Sequence, residues 1–164
     1  MLFRSVEIER RRSEALLAIG RLDEGERALD RATRLARLTD DRLEHAVAHR
    51  VAGELSLARG RRLEARASWE QAATLLHACR DRLELARVLL SLARVTDEPR
   101  GARAHALRSC ALFAELGAAW WQEQAEGELV RLMGPAPVTA PTRDRKSTRL
   151  NSSHIQKSRM PSSA

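Results

Sequence analysis
The chain of 164 residues reads as an all-α protein, an α-solenoid in which antiparallel helix pairs stack one after another. Three observations point there. Apolar residues recur at three- and four-residue spacing along seven successive stretches, a period that lines one face of a helix. Aromatic residues make up 3% of the chain, with no Tyr, too few to fill the strands of a β-sandwich. Short phrases also recur at a fixed interval. A repeating helix pair must stack on its neighbours, because one pair alone cannot bury its apolar face.

The seven stretches are expected as helices over 5–18, 22–38, 42–58, 62–79, 82–95, 99–115 and 118–132. The first ends before Gly20, a residue that enters positive φ at little cost and so closes a helix. A polar cluster, Thr39 to Asp41, follows the second. Asp41 precedes the third and Asp81 the fifth, each a short carboxylate able to accept a backbone N–H as an N-cap. Gly60 separates the third from the fourth, and Gly117 the sixth from the seventh. Pro99 opens the sixth, where its missing N–H costs little. Pro135, Pro137 and Pro141 then break the pattern, so 133–143 is expected to be a Pro-rich linker.

The repetition is specific. Asp41-Arg42-Leu43-Glu44 returns as Asp81-Arg82-Leu83-Glu84, and Gly20-Arg21 returns as Gly60-Arg61, at one and the same interval. Ala32 and Ala72 share that offset. Ser109 follows Ala72 at an offset three short of it, so the third unit is shortened around Thr96 to Pro99. Small residues stand where the helices of a pair would cross and where the next pair would dock. They are Ser13, Gly25 and Ala32, then Gly53, Ala65 and Ala72, then Ala93, Ala102 and Ser109. A small side chain permits close backbone approach and a large one forces helices apart.

With these positions, 6–132 resembles a tetratricopeptide-repeat (TPR) region in a lengthened form. The resemblance implies a right-handed α-solenoid of about three and a half repeats. The family's large position in the second helix holds Leu29, then Trp69, then Ala106, the last a departure, and the family's terminal proline is absent from all three units. The phrase ALFAELGAAWWQEQAEGEL, from Ala111 to Leu129, is similar to the ends of repeat arrays in large bacterial regulators. Those include LuxR-type regulators with an AAA-type ATPase domain and enhancer-binding activators. An Arg-only, Ala-rich body fits a GC-rich bacterial genome.

Charge divides the chain. Asp144 to Ala164 holds five basic residues and one acid, or +4, and the rest of the chain carries +3 of the total +7. Both lysines and the only Asn lie in that tail. The phrase DRKSTRLNSSH, from Asp144 to His154, resembles a common short-read sequencing adapter translated in frame, and MLFRS, 1–5, fits the reverse complement of its start. Adapter origin is therefore expected for 1–5 and 144–164, the latter disordered. The competing reading of the tail is a basic, Ser-rich arm that touches nucleic acid or acidic lipid. No apolar run long enough to cross a bilayer is present, so no membrane span is expected. Without a secretory leader, and with only Cys79 and Cys110, a cytoplasmic protein with reduced thiols is expected.

No catalytic, cofactor-binding or metal-binding residues are assigned. The eight glycines are dispersed and form no phosphate loop. His45 and His49, four apart, lack a third ligand at motif spacing. His77 and His105 stand alone. Cys79 and Cys110 have no neighbouring His and read as fillers of small buried gaps. The carboxylates sit beside Arg and form no isolated acid–base pair. Arg10-Arg11-Arg12 does not make a basic face, since successive helical residues point about 100° apart. Direct nucleic-acid binding is thus not expected. Trp69, Trp120 and Trp121 read as packing residues. Adjacent Trp120 and Trp121 cannot both face one core, which leaves one for the docking surface of a following helix.

The TPR resemblance places the groove-facing positions at Glu7, Arg10 and Glu14, then Val47, Arg50 and Glu54. The third unit supplies Arg87, Leu90 and Arg94, and the fourth Gln124, Gly127 and Arg131. One reading is mutual neutralisation of Arg and Glu along the groove wall, since an exposed pair four apart contributes only about 0.3 kcal/mol. The sharper reading is a mixed-charge groove whose C-terminal half turns basic through Arg87, Arg94 and Arg131. That half could hold an acidic protein or peptide segment, or another domain of the same parent chain, by bidentate contacts. The expected function is a non-catalytic interaction module of a bacterial signal-responsive regulator. The alternatives are a regulatory segment of an enzyme such as a kinase or AAA-type ATPase, and a structural spacer.

Overall fold
The helix signals act where they stand in the sequence. The computed structural model describes residues 2–134; of the linker expected over 133–143 it describes Met133, which ends the last described helix, and Gly134, and the rest of the linker and the tail expected over 144–164 lie outside those residues. The helices are α1 (Leu2–Ala18), α2 (Leu22–Leu38), α3 (Arg42–Ala58), α4 (Arg62–Cys79), α5 (Arg82–Val95), α6 (Pro99–Glu115) and α7 (Ala119–Met133). No strand occurs among the described residues. α1 begins three residues before the expected Ser5, since neither Pro nor Gly in that stretch stops it. α7 is shifted by one, because Gly117 takes φ +66° and Ala118 becomes the N-cap.

The carboxylate caps form. Asp41 accepts the Glu44 N–H at 3.0 Å, and Asp81 the Glu84 N–H at 2.9 Å. α6 has a cap that its residue type did not suggest. Glu98 accepts the N–H groups of Arg100, at 2.8 Å, and Gly101, with Pro99 at the start of the helix. Gly20, Gly60 and Gly117 turn the chain with φ +78°, +75° and +66°. Between α2 and α3, and between α4 and α5, Asp40 and Arg80 take positive φ without being glycine, at +49° and +59°.

Each short turn folds a helix back on its predecessor, and helices adjacent in sequence pack throughout. α1 also meets α3, and α5 meets α7. There is no single centre. One apolar cluster joins Leu29 to Val51 and Leu55. A second gathers Trp69, Leu76, Val88, Leu89 and Leu92, and a third Leu90, Phe113 and Ala125. All nine small residues are buried, from Ser13 to Ser109. The clearest of them is Gly53, whose backbone lies against the Trp69 indole. A Cβ there would come within 2.6 Å of Trp69 Cδ1 and Cε2. The largest side chain at the large position thus faces the smallest residue. Ala106 at the third large position is also buried, and the volume of the third unit is filled instead by Phe113 and by Trp121 stacked 5.7 Å from it. Trp120 is 61% exposed, on the side of α7 left without a following helix among the described residues.

Candidate partner-binding groove
The period that positions the helices also positions charge. Arg10 of α1 holds Glu44 of α3 (Nε–Oε2 2.6 Å), and one period later Arg50 of α3 holds Glu84 of α5 (Nε–Oε2 2.6 Å). Both acids are the last residue of the recurring Asp-Arg-Leu-Glu phrase. Its Asp starts the helix, and its Glu, three residues on, reaches the preceding first helix. Cross-links fill the space between. Arg10 pairs with Glu14 at 3.1 Å, Glu14 with Arg50, Arg50 with Glu54 at 2.6 Å, and Glu84 with Arg87 at 2.7 Å. The result is a ladder of alternating sign over α1, α3 and α5.

Arg50 is its centre, with 1% of its surface exposed. Burial by itself lowers the pKa of a guanidinium. Glu54, Glu84 and Glu14 outweigh that and raise it well above the ordinary arginine value. Arg10 is raised in the same way, burial opposing and Glu44 and Glu14 prevailing. These carboxylates and guanidiniums neutralise one another, Arg10 with two partners and Arg50 with three, while Arg50 Nε and Glu84 Oε2 meet as an ion pair without hydrogen-bond alignment.

In the third unit the pattern changes. The positions equivalent to Arg50 and Glu84 are Leu90 and Trp121, and the ion pair gives way to an apolar contact within one cluster. Two adjoining cavities, which share Glu54 and Arg87, lie along this face. One of about 400 Å³ is polar, lined by Arg10, Arg11, Glu14, Arg50, Glu54, Glu84 and Arg87. The next, about 240 Å³, is walled by Leu57, Trp69, Leu90 and Trp121, with Glu54, Arg87, Ser91 and Arg94 around it. The Arg87 guanidinium lies 5.1 Å from the Trp121 ring centroid, a cation–π contact. Arg94 is held only loosely, 3.9 Å from Glu128, and is half exposed.

Of the residues expected in the groove, Arg10, Glu14, Arg50, Glu54, Arg87, Leu90 and Arg94 line these cavities. Gln124 and Arg131 line neither. Arg131 is bound to buried Glu128 at 2.5 Å and is raised in pKa by it. Val47 is buried in the core and Gly127 is exposed. Sequence reasoning missed Glu44 and Glu84, although the recurrence of Arg10/Arg50 alongside the repeated phrase was available. It also missed Leu57, Ser91 and Trp121 as cavity walls, and Glu128, for which no signal existed.

The other chemistry-bearing residues stay apart from the groove. The His45 and His49 rings meet edge to face, centroids 4.9 Å apart. Burial, then His45, then Arg37 lower the His49 pKa. No group of three His, Cys, Asp or Glu able to hold a metal ion occurs among the described residues. Cys79 and Cys110 are free thiols, and burial pushes Cys110 up in pKa. No described helix is long and apolar enough to cross a membrane. Compared with known proteins, the chain matches no protein-family model and no curated protein.

Proposed function
We propose that the chain is a non-catalytic interaction module built as a right-handed TPR-like solenoid. Its groove along the first helices takes an acidic segment of a partner protein, or of the parent bacterial signal-responsive regulator, and acts in the cytoplasm without a cofactor. The observation that carries this reading is the switch from a self-neutralised ladder to an apolar cavity. Leu57, Trp69, Leu90 and Trp121 can accept an apolar side chain, and Arg94, the least committed cation beside them, can meet a neighbouring carboxylate.

A second reading, a structural spacer, draws support from the ladder itself, since every described groove cation before Arg94 already has a carboxylate. Phage selection of random peptides on the full chain separates the two. As a binding groove, it enriches peptides carrying an acid beside an apolar residue. Arg87→Glu/Arg94→Glu then weakens them at least about tenfold, as for a charge pair at an interface. Enrichment that ignores the double variant, or no enrichment, leaves the spacer.

A further inference from the structure
A second cleft, touching none of the ladder residues, opens between α4 and α6. Its floor is the outer edge of the core leucines of α5, Leu85, Leu89 and Leu92, each more than nine-tenths buried, and small Ala73 of α4 and Ala104 of α6 are among its lining. It holds about 600 Å³ and runs into a second cavity of about 300 Å³ through His77, Leu85 and Arg108, reaching Arg80.

The preceding repeat provides an internal comparison. One period earlier, the positions of Leu76, Arg80, Leu85 and Leu89 are Ala36, Asp40, His45 and His49. The turn backbone is alike, with positive φ at both Asp40 and Arg80, and both following helices are capped by aspartate. The corresponding cavity there, lined by Ala36, Arg37, Asp40, Asp41, Arg42 and His45, is about 170 Å³ and no more polar than apolar. A junction between helix pairs therefore does not need the leucine floor, which the later repeat has; arginines line both, Arg37 and Arg42 in the earlier one and Arg80, Arg82 and Arg108 in the later.

The charge at the mouth is uncommitted. Arg80 and Arg108 are exposed, and no ion-pair partner of either occurs among the described residues. The acids nearby are engaged: Glu70 holds Arg66 at 2.8 Å and Asp81 caps α5. Arg82 is paired with Glu115. The unspent charge is positive on both walls.

We propose that this cleft docks an acidic amphipathic helix of a protein partner. Leu85 to Leu92 spans two helical turns, roughly 10 Å, which matches apolar anchors at i, i+3/i+4 and i+7 laid along it. Glutamates flanking those anchors would meet Arg80 on one wall and Arg108 on the other. An open trough suits a helix, which needs one face covered, better than a small amphiphile, which needs most of its surface buried.

The test uses the full chain and a fluorescein-labelled helical peptide with leucines at i, i+3, i+4 and i+7 flanked by glutamates, beside a twin with lysine at every glutamate. Anisotropy should show the glutamate peptide binding at least about tenfold more tightly than its twin. Arg80→Glu/Arg108→Glu should reverse that preference, a gain that misfolding cannot produce. All of these comparisons are made in an Arg87→Ala/Arg94→Ala background, which removes the first groove's pull on acidic peptides, so that the preference reads the α4–α6 cleft alone. Equal binding of both peptides, no binding of the acidic one, or indifference to the Arg80/Arg108 variant overturns the proposal. So does saturable binding of decanoate, measured by calorimetry, to a chain that never takes the peptide, which would assign the cleft to a small anionic amphiphile.

Discussion

At the scale of the residue, side-chain size decides how closely two helices approach. Gly53 and Gly127 both lie inside helices, where alanine is better than glycine by about 1 kcal/mol. Their surroundings differ. A Cβ at Gly127 meets nothing within 4 Å, whereas one at Gly53 runs into Trp69. Trp69 cannot retreat, since it is buried and its indole N–H donates to the Arg50 carbonyl at 3.0 Å. Overpacking a filled site costs about 1–3 kcal/mol. Gly127→Ala should therefore raise the unfolding free energy by about 0.5–1 kcal/mol, and Gly53→Ala should lower it by up to about 2 kcal/mol, the overpacking less the helix gain. Urea titrations of the two variants check this, and a shift of the same sign in both would mean that the indole does not rest on Gly53. The sequence marked residue 53 as small and 69 as large, but not that the two touch.

At the scale of the element, helix ends follow local chemistry. Asp41 and Asp81 form the same cap one period apart, so Asp41→Ala and Asp81→Ala should each cost about 1 kcal/mol. The measurement is thermal unfolding of both variants by circular dichroism. A loss in one and none in the other would contradict their shared geometry. Five of the seven helices fall on their expected bounds, because glycine, proline and aspartate act within a few residues of where they stand. Glu98 as a cap and Arg80 at positive φ were not legible, since neither is a residue type that those positions usually favour.

At the scale of the whole molecule, stacking is linear, and Arg50 ties three first helices by pairing with Glu14 on α1, Glu54 on α3 and Glu84 on α5. Arg50→Met would leave these carboxylates facing one another in a half-buried space. Removing one side of such a network costs about 3 kcal/mol. Arg50→Lys keeps the charge but loses the fork, and should fall between. Denaturant midpoints of the two variants and the parent give the order. Arg50→Met as stable as the parent would reduce the ladder to surface decoration.

What the sequence by itself determined is the helices, their order and the small residues between them, because period, capping and glycine chemistry are local. It also held the recurrence of Arg10 and Arg50, and placed seven of the groove residues on the cavity-bearing face. Only the tertiary structure decided which charges are spent. That Glu84 reaches Arg50 as well as its own helix's Arg87, and that Leu90 and Trp121 close an apolar cavity where two earlier repeats carry an ion pair, depends on how neighbouring helix pairs lean together. That geometry arises from side chains a full repeat apart in the chain, and no local pattern encodes it.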